Sequence, residues 1–247
     1  MPVKAGVRRV EVTALPAGLP TVEELFTFAR DAERRFETLM MRIEERTFGA
    51  RGEQVETMDI AMRHPGHARV VTGRPGSGAA GHHELWISDG EVVRTFSASH
   101  RLGTSRPVRN RVRGLDPWDY PGRSTVYDPI TPLPMETLAE LFVHPAGYCQ
   151  NVLSTGDTWV AGTERIAGRE AIVVECLHPR AVEREVDRPD YAVQVAFDRL
   201  DGFVSRMVES VGNDITRIAE VVHVDPDAPL PPTTFDFEFP EGTTILY

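Results

Sequence analysis

Eight histidines, two cysteines and a scatter of carboxylates are the groups in this 247-residue chain that could do chemistry. Their spacing excludes more than it assigns. His82-His83-Glu84 has metal-ligand residue types, but neighbours on a strand point to opposite faces and cannot converge on one ion. His64 and His67 flank Pro65-Gly66 in a turn. The histidines read as surface residues, and no metal and no cofactor is expected. There is no Gly-x-Ser-x-Gly elbow and no readable Cys/His pairing, so covalent catalysis has no support. Cys149 and Cys176 lack a CxxC partner, which argues against a disulfide framework or a zinc site. Cys176 falls on an apolar strand face and reads as a small buried hydrophobe. What remains is a set of polar groups, Glu84, Arg94, His100 and Tyr120, among large apolar side chains: Trp86, Phe96, Trp118, Trp159, Tyr191, Phe203, Met207, Phe235 and Phe237. Such a set suits an enclosed apolar site that excludes water and places one or two polar groups at a reacting centre. Ordinary core burial is the competing reading for each wall residue. Trp118 and Tyr120 stand apart because they sit in a loop. Arg94 shares a face with Val92 and Phe96 and needs a carboxylate partner there, from the protein or a ligand.

The elements that must position these residues are mostly strands. Trp159 to Cys176 reads as a hairpin turning at Ala167-Gly168, where Gly168 supplies a positive φ. A two-residue turn pairs Ile166 with Arg169, Thr163 with Ile172, Ala161 with Val174 and Trp159 with Cys176. That register places Trp159, Ala161, Ile172, Val174 and Cys176 on one face. Asp89-Gly90 marks a second hairpin, expected to pair Trp86 with Val93 and Leu85 with Arg94, with apolar groups on both faces and so cover on both sides. Alternation also runs through Leu39–Glu44, Val55–Met62, His67–Thr72, Tyr191–Phe197, Phe203–Met207, Ile215–Val224 and Phe235–Phe239.

Two helices interrupt the strands. Thr21-Val22-Glu23-Glu24 is a capping box, and Leu25, Phe28, Ala29, Ala32 and Phe36 follow at helical spacing. Pro134 suits the first turn of a helix from Met135 to Val143, closed by His144-Pro145. Residues 1–20 read as an arm or a short edge strand. Residues 73–81 form a Gly-rich loop too irregular for phosphate binding. Residues 99–133, basic at first, are too long for a simple turn, so 99–145 reads as a helix-bearing loop or lid. The fold expected is mainly β within α+β. A single domain over 1–247 holds about ten or eleven antiparallel strands curved into an incomplete barrel, with two or more helices as plug or lid.

A formal charge of −10 argues against nucleic acid or an anionic membrane as partner, since phosphate affinity needs clustered cations. No run approaches the roughly 20 apolar residues of a membrane span, so stable membrane insertion is not expected. Met1 is not followed by a secretory h-region, and with Met1 as the native start the expected location is cytoplasmic.

Three patches carry a family resemblance: Val160-Ala-Gly-Thr-Glu-Arg-Ile-Ala-Gly-Arg-Glu-Ala, Val195-Ala-Phe-Asp-Arg-Leu-Asp-Gly, and Phe235-Asp-Phe-Glu-Phe-Pro-Glu-Gly. They resemble the Gly-x-Glu-x-x-x-Gly-Arg turn, the Asp-x-x-x-Gly hairpin and the closing Phe-x-Phe-x-x-Pro-x-Gly pattern of the LolA-like half-barrel group, which includes lipoprotein carriers and RseB-like sensors. The resemblance implies an incomplete barrel whose apolar concave face holds an acyl chain or other greasy ligand under a helical lid. The same half-barrel resembles cytoplasmic VioE-type enzymes of natural-product pathways, by fold-level analogy. On that analogy the chain is a cofactor-independent cyclase or isomerase for a polyketide-like or aromatic substrate. Glu84, His100 and Tyr120 would be its catalytic groups, and Arg94 with the nine apolar side chains would line the substrate. The alternatives are a non-catalytic lipid or lipoprotein carrier, or an RseB-like sensor of a protein partner. A homodimer stays open.

Overall fold

The computed structural model describes residues 14–50, 52–74, 83–108, 129–179 and 190–246. Twelve strands among them form one sheet: β1 (Thr38–Gly49), β2 (Gly52–Arg63), β3 (His67–Gly73), β4 (His83–Asp89), β5 (Val92–Ser97), β6 (Leu102–Pro107), β7 (Asp157–Ile166), β8 (Arg169–Leu177), β9 (Tyr191–Asp198), β10 (Val204–Val211), β11 (Asp214–Pro226) and β12 (Thr244–Leu246). Their order is β12-β6-β5-β4-β3-β2-β1-β11-β10-β9-β8-β7. Two meanders, β1–β6 and β7–β11, are joined where β1 pairs with β11, and only the β12–β6 pair is parallel. The result is an open, curved sheet, an incomplete barrel.

Strand alternation decides which face is buried. Leu39, Met41 and Ile43 are buried while Met40 and Arg42 are exposed, and Met58, Ile60 and Met62 repeat the pattern. Tyr191, Val193, Val195 and Phe197 share that face, as their alternation predicts. Helix α1 (Val22–Arg30) packs on it through Leu25, Phe28 and Ala29, α2 (Leu138–Val143) through Leu138, Ala139, Phe142 and Val143, and α3 (Ala146–Asn151) through Cys149. Among the described residues no helix is long and apolar enough to cross a membrane.

Thr21 caps α1 with both halves of the expected box in place. The helix stops at Arg30, earlier than the spacing out to Phe36 suggests. Asp31 is its C-cap, and a 3₁₀ turn over Ala32–Arg34 carries Ala32 and Phe36 into the core by another route. Helix α2 begins at Leu138 rather than Met135, because the Thr137 side chain accepts from the Glu140 N–H and sets the start there. Helix α3 and the 3₁₀ turn at Leu153–Thr155 were not expected.

Three strand expectations are corrected. The β7–β8 register holds at Ile166–Arg169 and Thr163–Ile172, then breaks at a β-bulge. Val160 pairs with Val174 and Gly162 with Val173, leaving Ala161 unpaired. Beyond the bulge Trp159 faces Glu175 instead of Cys176, so it lies on the far side of the sheet and is 40% exposed. The β4–β5 hairpin is shifted by two, pairing Trp86 with Thr95 and Leu85 with Phe96. The cause is the Asp89 carboxylate, which accepts from the N–H groups of Glu91 (3.0 Å) and Val92 (2.7 Å) and widens the turn. A shift of two keeps every side chain on its face. Finally, Phe235, Phe237 and Phe239 do not belong to a strand. Pro232–Phe235 is a 3₁₀ turn, and the chain after it joins no ladder until β12.

The histidines are not all at the surface. Burial lowers the pKa of His64, whose Nδ1 lies 2.7 Å from the Thr131 hydroxyl. His144 Nε2 reaches the Thr131 carbonyl (3.0 Å), and the Glu33 carboxylate accepts from the Ile130 N–H (2.9 Å). These bonds tie the segment before α2 to the β2–β3 turn and to the chain after α1.

Candidate functional site

Because strand pairing is antiparallel, residues of one face line up in rows across the sheet. One row on the helix-covered face runs Val224, Met41, Ile60, Val70, Trp86, Thr95 and Thr104. On one side of it lies a fully apolar or small row, with Leu39, Met62, Ala68 and Ser88 all buried. On the other side, Ile43, Met58, Thr72, Glu84, Ser97 and Leu102 lead towards the hairpin tips and become more exposed. Trp86 is the large apolar side chain of this region that stays half-buried, packed on the core beside Val70. The Thr95 and Thr104 hydroxyls pair with each other at 2.7 Å. Glu84 lies one row outward on the same face, exposed, and accepts from the Ser97 hydroxyl at 2.7 Å.

The β7–β11 half of the same face is closed. Ile172, Val174, Val195, Phe197, Phe203 and Met207 are 0% exposed, so Phe203 and Met207 are core side chains. Towards its open end the face turns polar. Arg217 Nε donates to the Glu45 carboxylate at 2.5 Å, and its Nη1 lies 3.6 Å from Glu209. Tyr148 of α3 packs, partly buried, against the core of this face. Burial, reinforced by Tyr191 and Glu209, holds the Tyr148 phenol well above its ordinary pKa, so it remains a hydrogen-bond donor.

The sequence-derived candidates divide between the two faces. Glu84, Trp86, Tyr191, Phe203 and Met207 share the helix-covered face. Phe96, Phe237 and Phe239 form a ring cluster with Leu85 and Ile87 on the opposite face, with Phe237 and Phe239 centroids 5.2 Å apart. Phe235 packs there against the His67 ring. Arg94, on that same face, pairs with Asp89 at 2.8 Å and so has its carboxylate from the protein. Trp159 faces away as well, because of the bulge. His100 is exposed in the β5–β6 turn. Trp118 and Tyr120 lie outside the described residues. Among the described residues the helix-covered face thus receives Glu84 but not Arg94, and its two cysteines are not activated: burial pushes both the Cys149 and Cys176 thiols up in pKa, and Cys176 donates to the Leu153 carbonyl.

The sequence reading passed over Tyr148, Glu45, Glu209 and Arg217. A signal existed for three of them. Glu45 continues the period of Leu39, Met41 and Ile43, Arg217 precedes Ala219 and Val221, and Glu209 follows Met207. Charges at the apolar parity of a strand mark a polar end to a buried face.

No family model and no curated protein matches the chain. It is similar in fold to several solved structures. An uncharacterized conserved protein from Thermus thermophilus is 9% identical over 91% of this chain and 98% of that one, with a TM-score of 0.49. A chain of the Pseudomonas aeruginosa MucA/MucB complex is 13% identical over 88% of this chain and 61% of that one, with a TM-score of 0.48. A LolA superfamily protein from Nitrosomonas europaea is 12% identical over 88% and 98%, with a TM-score of 0.33.

Proposed function

We propose that the protein binds a hydrophobic small molecule or lipid acyl chain on the helix-covered face, as a carrier rather than a catalyst. The observation that supports this is the state of that face. It is a continuous apolar surface on an open sheet, closed over β7–β11 but half-exposed at Trp86. An incomplete barrel with short helices on it can admit a chain by moving them, without breaking a closed ring of strands. The cyclase reading loses its support because those of its polar groups that are described, Glu84, Arg94 and His100, do not gather on this surface. Glu84 sits at an exposed rim bonded to Ser97, and Arg94 is on the other side in an ion pair.

Titration with the neutral dye Nile red tests the proposal. Saturable binding is expected, weakened about tenfold (~1.4 kcal/mol) by Trp86→Ala and left intact by Trp159→Ala on the opposite face. Binding that ignores Trp86→Ala overturns the placement. Cofactor-free turnover of a bound metabolite overturns the carrier reading.

A further inference from the structure

Resting on that reading, we infer that Thr131 is the clasp of an acid-opened gate: with a neutral His64 ring it holds the chain leading into α2 in place, and protonation of that ring releases it, so that a bound apolar ligand exchanges faster at acid pH. Thr131 is fully buried and is bonded through both its hydroxyl and its carbonyl. The hydroxyl accepts from the Gly66 N–H at 2.9 Å and lies 2.7 Å from His64 Nδ1, and the carbonyl accepts from His144 Nε2 at 3.0 Å. Beside it the Ile130 N–H donates to the Glu33 carboxylate at 2.9 Å, and Leu133 is buried in the same core as α2. The Gly66 carbonyl accepts from the Ser88 hydroxyl at 2.8 Å, which fixes the clasp to β4, the strand that carries Trp86. The helices that must move to admit a chain are entered through this segment.

The direction of these bonds sets the charge that the clasp accepts. A hydroxyl carries one proton. Thr131 already accepts from Gly66, so its proton goes to His64 Nδ1, and a neutral ring leaves Nδ1 free to accept it. A charged ring carries a proton on Nδ1 as well. The Thr131 hydroxyl proton then has no acceptor among the described residues, inside a residue that is 0% exposed. The His64 ring stacks on Phe36 with centroids 5.5 Å apart, and its buried Nε2 makes no hydrogen bond among the described residues. The Glu33 carbonyl favours a charged ring, but burial outweighs it and lowers the His64 pKa. Among the described residues the neighbouring charges point elsewhere: Arg34 to Asp31, Arg35 to the Phe28 carbonyl, Arg63 and His67 to Phe235 on the opposite face, and Glu37 is exposed. Glu33 and His144, 3.4 Å apart, lie across Thr131 from the ring, and protonation of His144 tightens that pair and opposes opening. Once the segment opens, His64 takes up a proton at its ordinary value near 6.5, so the clasp holds fully above that value and weakens as pH falls below it.

The test is hydrogen exchange of the full chain at pH 7.5 and pH 5.5, read as protection factors, together with release of bound Nile red to excess phosphatidylcholine vesicles at each pH. At pH 5.5, about one unit below the ordinary histidine value, the clasp can weaken about tenfold at most. Protection of the Gly66 amide and of the peptide 130–144 should therefore fall about threefold or more, while β1 and β2 keep theirs, and dye release should quicken by a similar factor. His64→Asn keeps an acceptor near the place of Nδ1 and takes up no proton, so it should abolish the acid response in both readouts. Thr131→Val should lower protection at both pH values. Unchanged wild-type protection, or a fall that persists in His64→Asn, overturns the inference whether or not the dye binds. Dye release that ignores a fall in protection overturns the gating role. An acid response in a chain that binds no dye overturns the hydrophobic site, and the gating role with it, while the clasp itself stands.

Discussion

The two meanders obey the same alternation and arrive at different states. In β1–β6 the ladders run without interruption, from the long β1–β2 pair to the short β5–β6 pair. In the other half, register breaks occur between β1 and β11, β10 and β11, β10 and β9, and β7 and β8. Each bulge inserts an unpaired residue, bends its strand and increases twist. Both halves bury their inner rows near the β1–β11 junction, but the bulged half stays buried out to Val174 and Cys176 on β8, while the regular half leaves Trp86 on β4 half-buried. A bulge bends its strand and so favours wrapping, and the helix contacts seen here include β7 and β10 of the bulged half. The difference between the halves lies at Trp86, where the apolar face of the regular half is only partly covered.

The same contrast recurs in a pair of turns. Asp198, ending β9, accepts from the N–H groups of Leu200 (2.9 Å) and Asp201 (2.8 Å) and binds Arg169 at 2.6 and 2.9 Å. Asp89, ending β4, does the same with Glu91, Val92 and Arg94. The Asp198 side chain is 1% exposed and that of Asp89 35%. Identical chemistry is thus placed once in the interior and once near solvent.

The sharpest way to break the comparison is to remove a large side chain from each half. Phe197→Ala should cost about 3–5 kcal/mol in urea unfolding, and Trp86→Ala about 1–2 kcal/mol, since the Trp86 ring is only partly withdrawn from water. Equal losses would mean that the regular half carries as much of the core. Next come the two aspartates. Asp198→Ala should cost about 3 kcal/mol, because it strands a part-buried Arg169 with Asp201 alone. Asp89→Ala should cost about 1 kcal/mol at pH 7 after allowance for solvent screening.

The Asp89 effect carries a pH signature. Burial alone would raise its pKa, but the Val92 N–H, Arg94 and the Glu91 N–H outweigh it and hold the carboxyl at about 2. A depressed folded-state pKa means the contribution is present above the unfolded value near 4 and disappears as pH falls through about 2. The gap between wild type and Asp89→Ala should therefore close across that window in pH-dependent unfolding. A gap that persists at pH 2 would assign the loss to packing. The smallest expected effect is deletion of Ala161, which should change stability by less than ~1 kcal/mol but straighten the edge strand β7. Bulges protect edges from pairing, so the deletion should increase self-association in light scattering. An unchanged mass would show that the bulge serves curvature alone.

Much of the fold was legible in the residues. The Thr21 capping box, the Ala167-Gly168 turn, the Asp201-Gly202 turn and the buried faces of β1, β2 and β9 follow from local chemistry, and the structure has them where the pattern puts them. The segment Phe235–Phe239 shows the limit. Its alternation is as regular as that of any strand here, and its rings are covered, yet it pairs with nothing until β12. Alternation reports that one side of an extended chain is buried, and a side-chain cluster on Phe96 satisfies that as well as a ladder does. The candidate site was legible only in part for the same kind of reason. Trp86 and Glu84 share a face by parity, a relation the sequence reading did not draw, and Trp159 was assigned to the apolar face through an unbroken register.

By itself, then, the sequence determined the elements, their apolar faces and their turns, because those depend on side chains a few residues apart. Which rows meet across the sheet, which half is closed by helices, and which charges gather at its open end were decided by the tertiary structure alone. One unpaired Ala161 reverses the face of everything before it. The meeting of Glu45, Glu209 and Arg217 depends on the pairing of β1, β10 and β11, which no local pattern encodes.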